Sequence, residues 1–141
     1  AHVPIPEVQI RMMPAELGPD EGARRYAQTI GAVDRFDLVL LGLGEDGHIA
    51  SLFPGNAARQ LKQDVVPVRN SPKPPPERIS LSAARLARTE RMFFLVAGAA
   101  KRPALAAWIQ GKSIPAADVN PAPGLDIFTE GSAWPDIPLQ S

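Results

Sequence analysis

Cysteine is absent from the 141 residues, and histidine is nearly so, with two. The first absence excludes disulfides, thiol nucleophiles, thiolate zinc sites and iron–sulfur clusters together. The second leaves only His2 and His48, too few for an all-histidine metal site built from one chain. An excess of either charge is missing too, since 15 Lys+Arg balance 15 Asp+Glu. There is thus no global field to draw in nucleic acid or an anionic membrane, and neither is expected as a partner. No apolar run approaches the ~20 residues that span a bilayer. The opening residues, Ala-His-Val-Pro-Ile-Pro, lack both the basic start and the apolar stretch of a signal peptide.

Hydrophobic residues make up 45% and charged residues 21%, a balance that supports a packed core. The length suits one domain. Proline is the compositional outlier, 16 residues, about twice its usual share of ~5%. The prolines cluster in Val3–Pro14, Pro67–Pro76 and Pro115–Pro138, and each cluster interrupts regular structure because proline fixes φ and offers no N–H. The stretch 67–76 is read as a long surface loop, not an interdomain linker, because neither half has enough apolar sequence for its own core.

Between these clusters the elements alternate. Pro19 to Ile30 predicts a helix, with proline tolerated in the first turn, Asp20 and Glu21 at the positive end of the dipole, and Gly31 as terminator. Ala23, Tyr26, Ala27 and Ile30 recur as one buried stripe. Phe36 to Gly42 reads as a strand covered on both faces in a parallel sheet. Arg78–Ser82, Arg91–Ala97 and Leu125–Thr129 are further strands, with a short helix over Ala83–Thr89 and another from Gly98 to about Gln110. This order predicts an α/β layered fold.

The chemistry lies in Gly42-Leu-Gly-Glu-Asp-Gly-His-Ile-Ala-Ser-Leu-Phe-Pro-Gly55. Gly42, Gly44 and Gly47 allow tight turns and close approach of a ligand to the main chain. The stretch follows a buried strand, where open α/β sheets bind ligands, and successive N–H groups there can hold an anion or a developing oxyanion. Asp46 and His48 can place a carboxylate beside an imidazole, which suits acid–base work near neutral pH. The pattern is neither the dinucleotide fingerprint nor the nucleotide P-loop. Ser51 reads as a helix-start or packing residue, since no second histidine stands where it would activate a nucleophile.

This run closely resembles the signature of the 6-phosphogluconolactonases. Ser71-Pro-Lys-Pro-Pro-Pro-Glu-Arg-Ile-Ser-Leu-Ser82 is similar to that family's proline-rich loop entering a strand. Phe93-Phe-Leu-Val-Ala-Gly-Ala-Ala-Lys101 is similar to its strand, glycine and lysine. The related glucosamine-6-phosphate deaminases share the Asp-Gly-His core but continue Ile-Ala-Phe-Asn-Glu-Pro-Gly. Here Leu52 and Phe53 stand where a proton relay is needed.

The resemblance implies a three-layer αβα fold with a mainly parallel sheet. It implies hydrolysis of 6-phospho-D-glucono-1,5-lactone, a phosphosugar lactone, to 6-phosphogluconate in the oxidative pentose phosphate pathway, with no metal or organic cofactor. On the residues matched, His48 would be the general base, Asp46 its orienting partner, and Gly42, Gly44 and Gly47 the backbone at the substrate and oxyanion. Arg78 and Lys101 would bind the 6-phosphate. Lys73, Arg85, Arg88, Arg91, Arg102 and His2 are read as solvated or incidental. Family members are longer, so residues 1–141 are expected to be one domain lacking its N-terminal part, weakly stable or inactive alone, monomeric when intact, and cytoplasmic. The alternatives are a deaminase-type isomerase and a non-catalytic phosphosugar-binding domain.

Overall fold

Helix α1 forms where its signals stand, over Pro19–Ile30, with Pro19 at the first position and Asp20 and Glu21 in the first turn. The computed structural model describes residues 4–136; His2 lies outside them. Ala23 and Ile30 are buried, and Tyr26 and Ala27 flank them, packed with Val65 and Ile79. Gly22 sits under this contact: a methyl group there would meet the Ile79 side chain at 2.3 Å.

The partner of α1 is a two-stranded antiparallel ribbon, β2 (Val65–Val68) with β3 (Arg78–Leu81). The sequence reading placed Pro67 at the start of the proline-rich loop. It belongs instead to β2, a strand paired on one side only, where a missing N–H is tolerated. The remaining strands form a parallel sheet, β1 (Val39–Gly42), β4 (Met92–Val96) and β5 (Asp126–Thr129), in the order β1-β4-β5. Helix α2 (Ala83–Leu86) starts on Ser82, whose Oγ accepts the Arg85 N–H at 3.1 Å. Helix α3 (Arg102–Ile109) takes Pro103 in its first turn, as expected.

One face of the parallel sheet makes the main core. Val39, Met92, Phe94 and Val96 pack with Ile49, Leu52, Phe53 and Leu105, and Trp108 meets Phe94 edge-on at 4.6 Å. Burying a side chain the size of Phe94 is worth about 1.5–3 kcal/mol. The opposite face corrects the expectation of a strand covered on both sides. Leu40 is 58% exposed, Leu95 56% and Phe128 53%, and in the parallel register these alternate with the buried set. The described residues contain no layer over that face.

Arg85 is a second correction. Expected as a solvated charge, it is fully buried, its guanidinium 3.9 Å from the Phe36 ring centroid and donating to Val33 O at 2.7 Å. Asp64 pairs with it at 3.6 Å and with Arg88 on the surface. Burial pulls the Arg85 guanidinium below its ordinary pKa, Arg88 adds to this, and Asp64 opposes it. Among the described residues no helix is long and apolar enough to cross a membrane.

Candidate active site

Strand β1 ends at Gly42 and delivers the next loop to the carboxyl edge of the parallel sheet. The loop is anchored from below by Ile49, Leu52 and Phe53, all essentially inaccessible. The Leu52 N–H donates to Ile49 O at 2.8 Å, and between them Ala50 adopts a left-handed φ of +47°. That conformation costs a non-glycine residue about 1–2 kcal/mol. It persists because the buried residues on either side fix the chain's path.

His48 and Asp46 meet on this loop. Asp46 Oδ1 lies 2.5 Å from His48 Nδ1 and accepts the His48 backbone N–H at 3.1 Å. Partial burial alone would raise the Asp46 pKa, but the ring and backbone hydrogen bonds from His48 prevail and hold it below the ordinary carboxylate value. A carboxylate at Nδ1 fixes the proton on that nitrogen and leaves Nε2 as the ring's base. The imidazole also rests on Phe53, ring centroids 4.6 Å apart.

The glycines serve this arrangement mainly by the room they leave. A Cβ on Gly44 would fall 2.0 Å from His48 Nδ1. Gly47 has φ +84°, and a Cβ there would strike Ile114 at 2.8 Å. Their N–H groups are engaged inside the loop, Gly44 donating to His48 O at 2.8 Å and Gly47 to Gly44 O at 3.0 Å. They are thus not presented to an oxyanion, against the sequence expectation.

In front of His48 opens a recess of about 390 Å³, lined by Gly42, Leu43, Gly44, His48, Ala50, Lys73 and Lys101. A larger cavity of about 620 Å³ is lined by Pro54–Ala58, Leu61, Pro67, Arg69, Asn70 and Pro72. Its one charged lining residue, Arg69, pairs with Asp20, so it carries no comparable chemistry. Among the described residues, no three His, Asp or Glu side chains converge as metal ligands would.

Of the residues singled out in the sequence, the structure brings Gly42, Gly44, His48 and Lys101 to the recess, with Asp46 behind the ring. Gly47 packs away against Ile114. Arg78 does not line the recess. Its Nε donates to Pro75 O at 3.0 Å, and its Nη2 to Lys73 O and Pro74 O at 2.9 Å each. Lys73, expected from the sequence to be a solvated charge, is in the lining instead. Its only signal was its place within the proline-rich block.

The site thus brings a histidine–carboxylate pair and two lysines together beside an α/β parallel sheet. Residues 1–127 match the family described as glucosamine-6-phosphate isomerases/6-phosphogluconolactonase, and the chain belongs to that family. It is 43% identical over 116 residues to a probable 6-phosphogluconolactonase of Drosophila melanogaster, covering 79% of this chain and 48% of the relative. It is also 43% identical over 132 residues to a 6-phosphogluconolactonase of Mycobacterium leprae, covering 82% and 53% respectively. The structure of a 6-phosphogluconolactonase from Thermotoga maritima superposes with a TM-score of 0.82 at 27% identity, covering 89% of this chain and 57% of that one. The chain spans about half the length of the curated relatives it matches.

Proposed function

We propose that this chain carries the hydrolytic site of a 6-phosphogluconolactonase, opening 6-phospho-D-glucono-1,5-lactone to 6-phosphogluconate. The observation that carries this reading is the 2.5 Å contact of Asp46 with His48 Nδ1, at the rim of a recess that also holds Lys101. With Nδ1 committed, Nε2 takes a proton from water as its oxygen attacks the C1 carbonyl. The tetrahedral intermediate then collapses. The bond from C1 to the ring oxygen breaks, and Nε2 returns the proton to that oxygen. Asp46 holds the ring's orientation and stabilises the imidazolium formed between the two transfers.

Lys101, in the short turn after β4, supplies a positive charge for the 6-phosphate. The phosphosugar anchor leaves the lactone carbonyl toward His48, and such positioning makes water attack effectively unimolecular. A deaminase reading is disfavoured by Leu52 and Phe53, apolar and buried where a proton relay through ring opening and isomerisation would stand. The protein in its intact form is expected in the cytoplasm, acting as a monomer on a small phosphorylated lactone.

The test supplies 6-phosphogluconolactone and glucosamine 6-phosphate in parallel to the intact protein. Faster loss of the lactone than in buffer, with no ammonia or fructose 6-phosphate from the amine, supports the lactonase. The reverse pattern would transfer the site to the isomerase/deaminase branch of the family.

A further inference from the structure

Gly47 stands between Asp46 and His48 in the chain, and it is held from outside its own loop. Its carbonyl accepts the Ala116 N–H at 3.1 Å, and the Ile114 side chain fills the space that a Cβ on residue 47 would need. Asp46 Oδ1 reaches both the His48 N–H and the His48 ring because the backbone turns tightly at Gly47, with φ +84°. The path of residue 47 therefore sets how the carboxylate and the imidazole meet.

The segment that holds Gly47 is itself tied down. Ile114 leads into a single helical turn, Pro115–Asp118, with Pro115 and Ala116 buried. Asp118, at the end of that turn, meets Arg59, whose Nε and Nη2 donate to its two carboxylate oxygens at 2.5 and 2.9 Å. The same Nη2 donates to Ser113 Oγ at 3.0 Å, so one guanidinium grips the segment on both sides of Ile114 and Ala116. The pair is bidentate, and the Arg59 side chain is only 12% exposed, which sets it apart from an ordinary surface ion pair.

Arg59 comes from the far end of the catalytic loop. It lies in the turn Ala57–Gln60, which starts on Asn56 directly after that loop. The Asn56 side chain accepts the Ala58 N–H at 3.0 Å, and the Asn56 N–H donates to Phe53 O at 3.2 Å. The exit of the loop thus carries an arginine that holds the turn that holds Gly47. Neither Arg59 nor Asp118 lines the recess.

Resting on the lactonase reading for its chemical consequence, we propose that Arg59 is a positioning residue for the His48–Asp46 pair. It acts through Asp118 and residues 113–118 on Gly47, and touches no substrate. Arginine suits the task because its planar fork reaches a carboxylate and a hydroxyl at once, which a lysine cannot do with the same geometry.

The experiment uses the intact protein and compares wild type with Arg59→Met, Arg59→Lys, Asp118→Asn and the double variant Arg59→Met with Asp118→Asn. All are studied at a temperature where urea curves show each fully folded. Two things are read: kcat and KM for the lactone, and the proton resonance of the His48 Nδ1–H. Arg59→Met is expected to lower kcat about tenfold and leave KM within about twofold, because the reacting groups shift while the substrate anchor does not. The Nδ1–H resonance is expected to move as the contact with Asp46 loosens. Asp118→Asn cuts the pair at its more exposed end without a change of size, so it carries the test even if Arg59→Met folds poorly. It is expected to act in the same direction, with the double variant no worse than Arg59→Met alone. Arg59→Lys, which keeps a charge beside Asp118, is expected to recover most of the lost turnover. A lowered urea midpoint with kcat and the resonance unchanged would reduce Arg59 to a stabilising residue and overturn the proposal. Additive losses, or a loss that falls on KM, would overturn it too. A resonance that depends on Arg59 in a protein without lactone turnover would keep this inference and discard the lactonase reading. Lactone turnover indifferent to Arg59 and Asp118 would do the opposite.

Discussion

A methyl group on Gly44 would lie 2.0 Å from Nδ1 of His48, so the imidazole occupies the space that a side chain at position 44 would need. This close approach, more than backbone flexibility, explains a glycine there. Gly44→Ala must therefore push the ring off Asp46. The expected result is a loss of turnover of about a hundredfold, the scale of a general acid–base contribution. The loss in stability is expected to be smaller, about 1–2 kcal/mol, because the ring can swing toward the open recess. Steady-state kinetics beside urea denaturation checks both; near-normal turnover would show that the ring's place is not critical.

The Asp46 carboxyl is held below its ordinary pKa by His48, and this has a signed consequence for stability. A depressed folded-state value means that Asp46 stabilises the native chain fully above its unfolded value of about 3.9. That contribution fades as pH falls through the lower, folded value. Asp46→Asn removes it, so the difference in stability between wild type and variant is expected to shrink as pH falls below about 4. Urea midpoints across that range measure it. A difference that stays undiminished below about pH 3 would contradict the depressed carboxyl.

Arg85 carries a buried charge on one backbone carbonyl, one aromatic face and one half-exposed carboxylate, with Nε and Nη1 lacking hydrogen-bond partners. Arg85→Ala empties this space and frees the Val33 carbonyl, at an expected cost of about 3 kcal/mol. Arg85→Met fills the space without the charge and is expected to cost less than half as much. Denaturation midpoints of the two variants decide between packing and charge as the reason for this arginine. Equal losses would assign the stability to the guanidinium.

The open face of the parallel sheet sets Leu40, Leu95 and Phe128 toward solvent, with Leu38 beside them at 45% exposure. Parallel sheets are ordinarily covered on both faces. Expressed by itself, the 141-residue chain is expected to bind a hydrophobic dye, to self-associate and to show little turnover. Leu40→Glu with Leu95→Glu is expected to reduce dye binding and association together. A monodisperse, dye-silent chain would show that the face is tolerated bare.

Much of this fold was legible because local signals agreed with the tertiary context. Pro19, Asp20, Glu21 and Gly31 bracket α1 to the residue, and the apolar runs around Leu40 and Phe94 mark parallel strands. Strand β2 was not legible, because Pro67 is a local breaker that only its one-sided pairing makes tolerable. The site was legible as Asp46 and His48, two residues apart on one loop. What could not be read was the direction of side chains that act across the chain. Arg78 and Lys73 are both basic residues of one proline-rich block, and only the folded loop turns one inward to its own carbonyls and the other toward the recess. The burial of Arg85 is illegible for the same reason, since it depends on partners distant in sequence.

The central claim is that His48, oriented by Asp46, activates water. Its most direct test compares intact wild type and His48→Ala in two quantities: acceleration of 6-phosphogluconolactone loss over spontaneous hydrolysis, and affinity for 6-phosphogluconate. The account predicts that acceleration disappears while product affinity stays within a few-fold, because Lys101, the proposed phosphate anchor, is untouched. Acceleration that survives in the variant would contradict it.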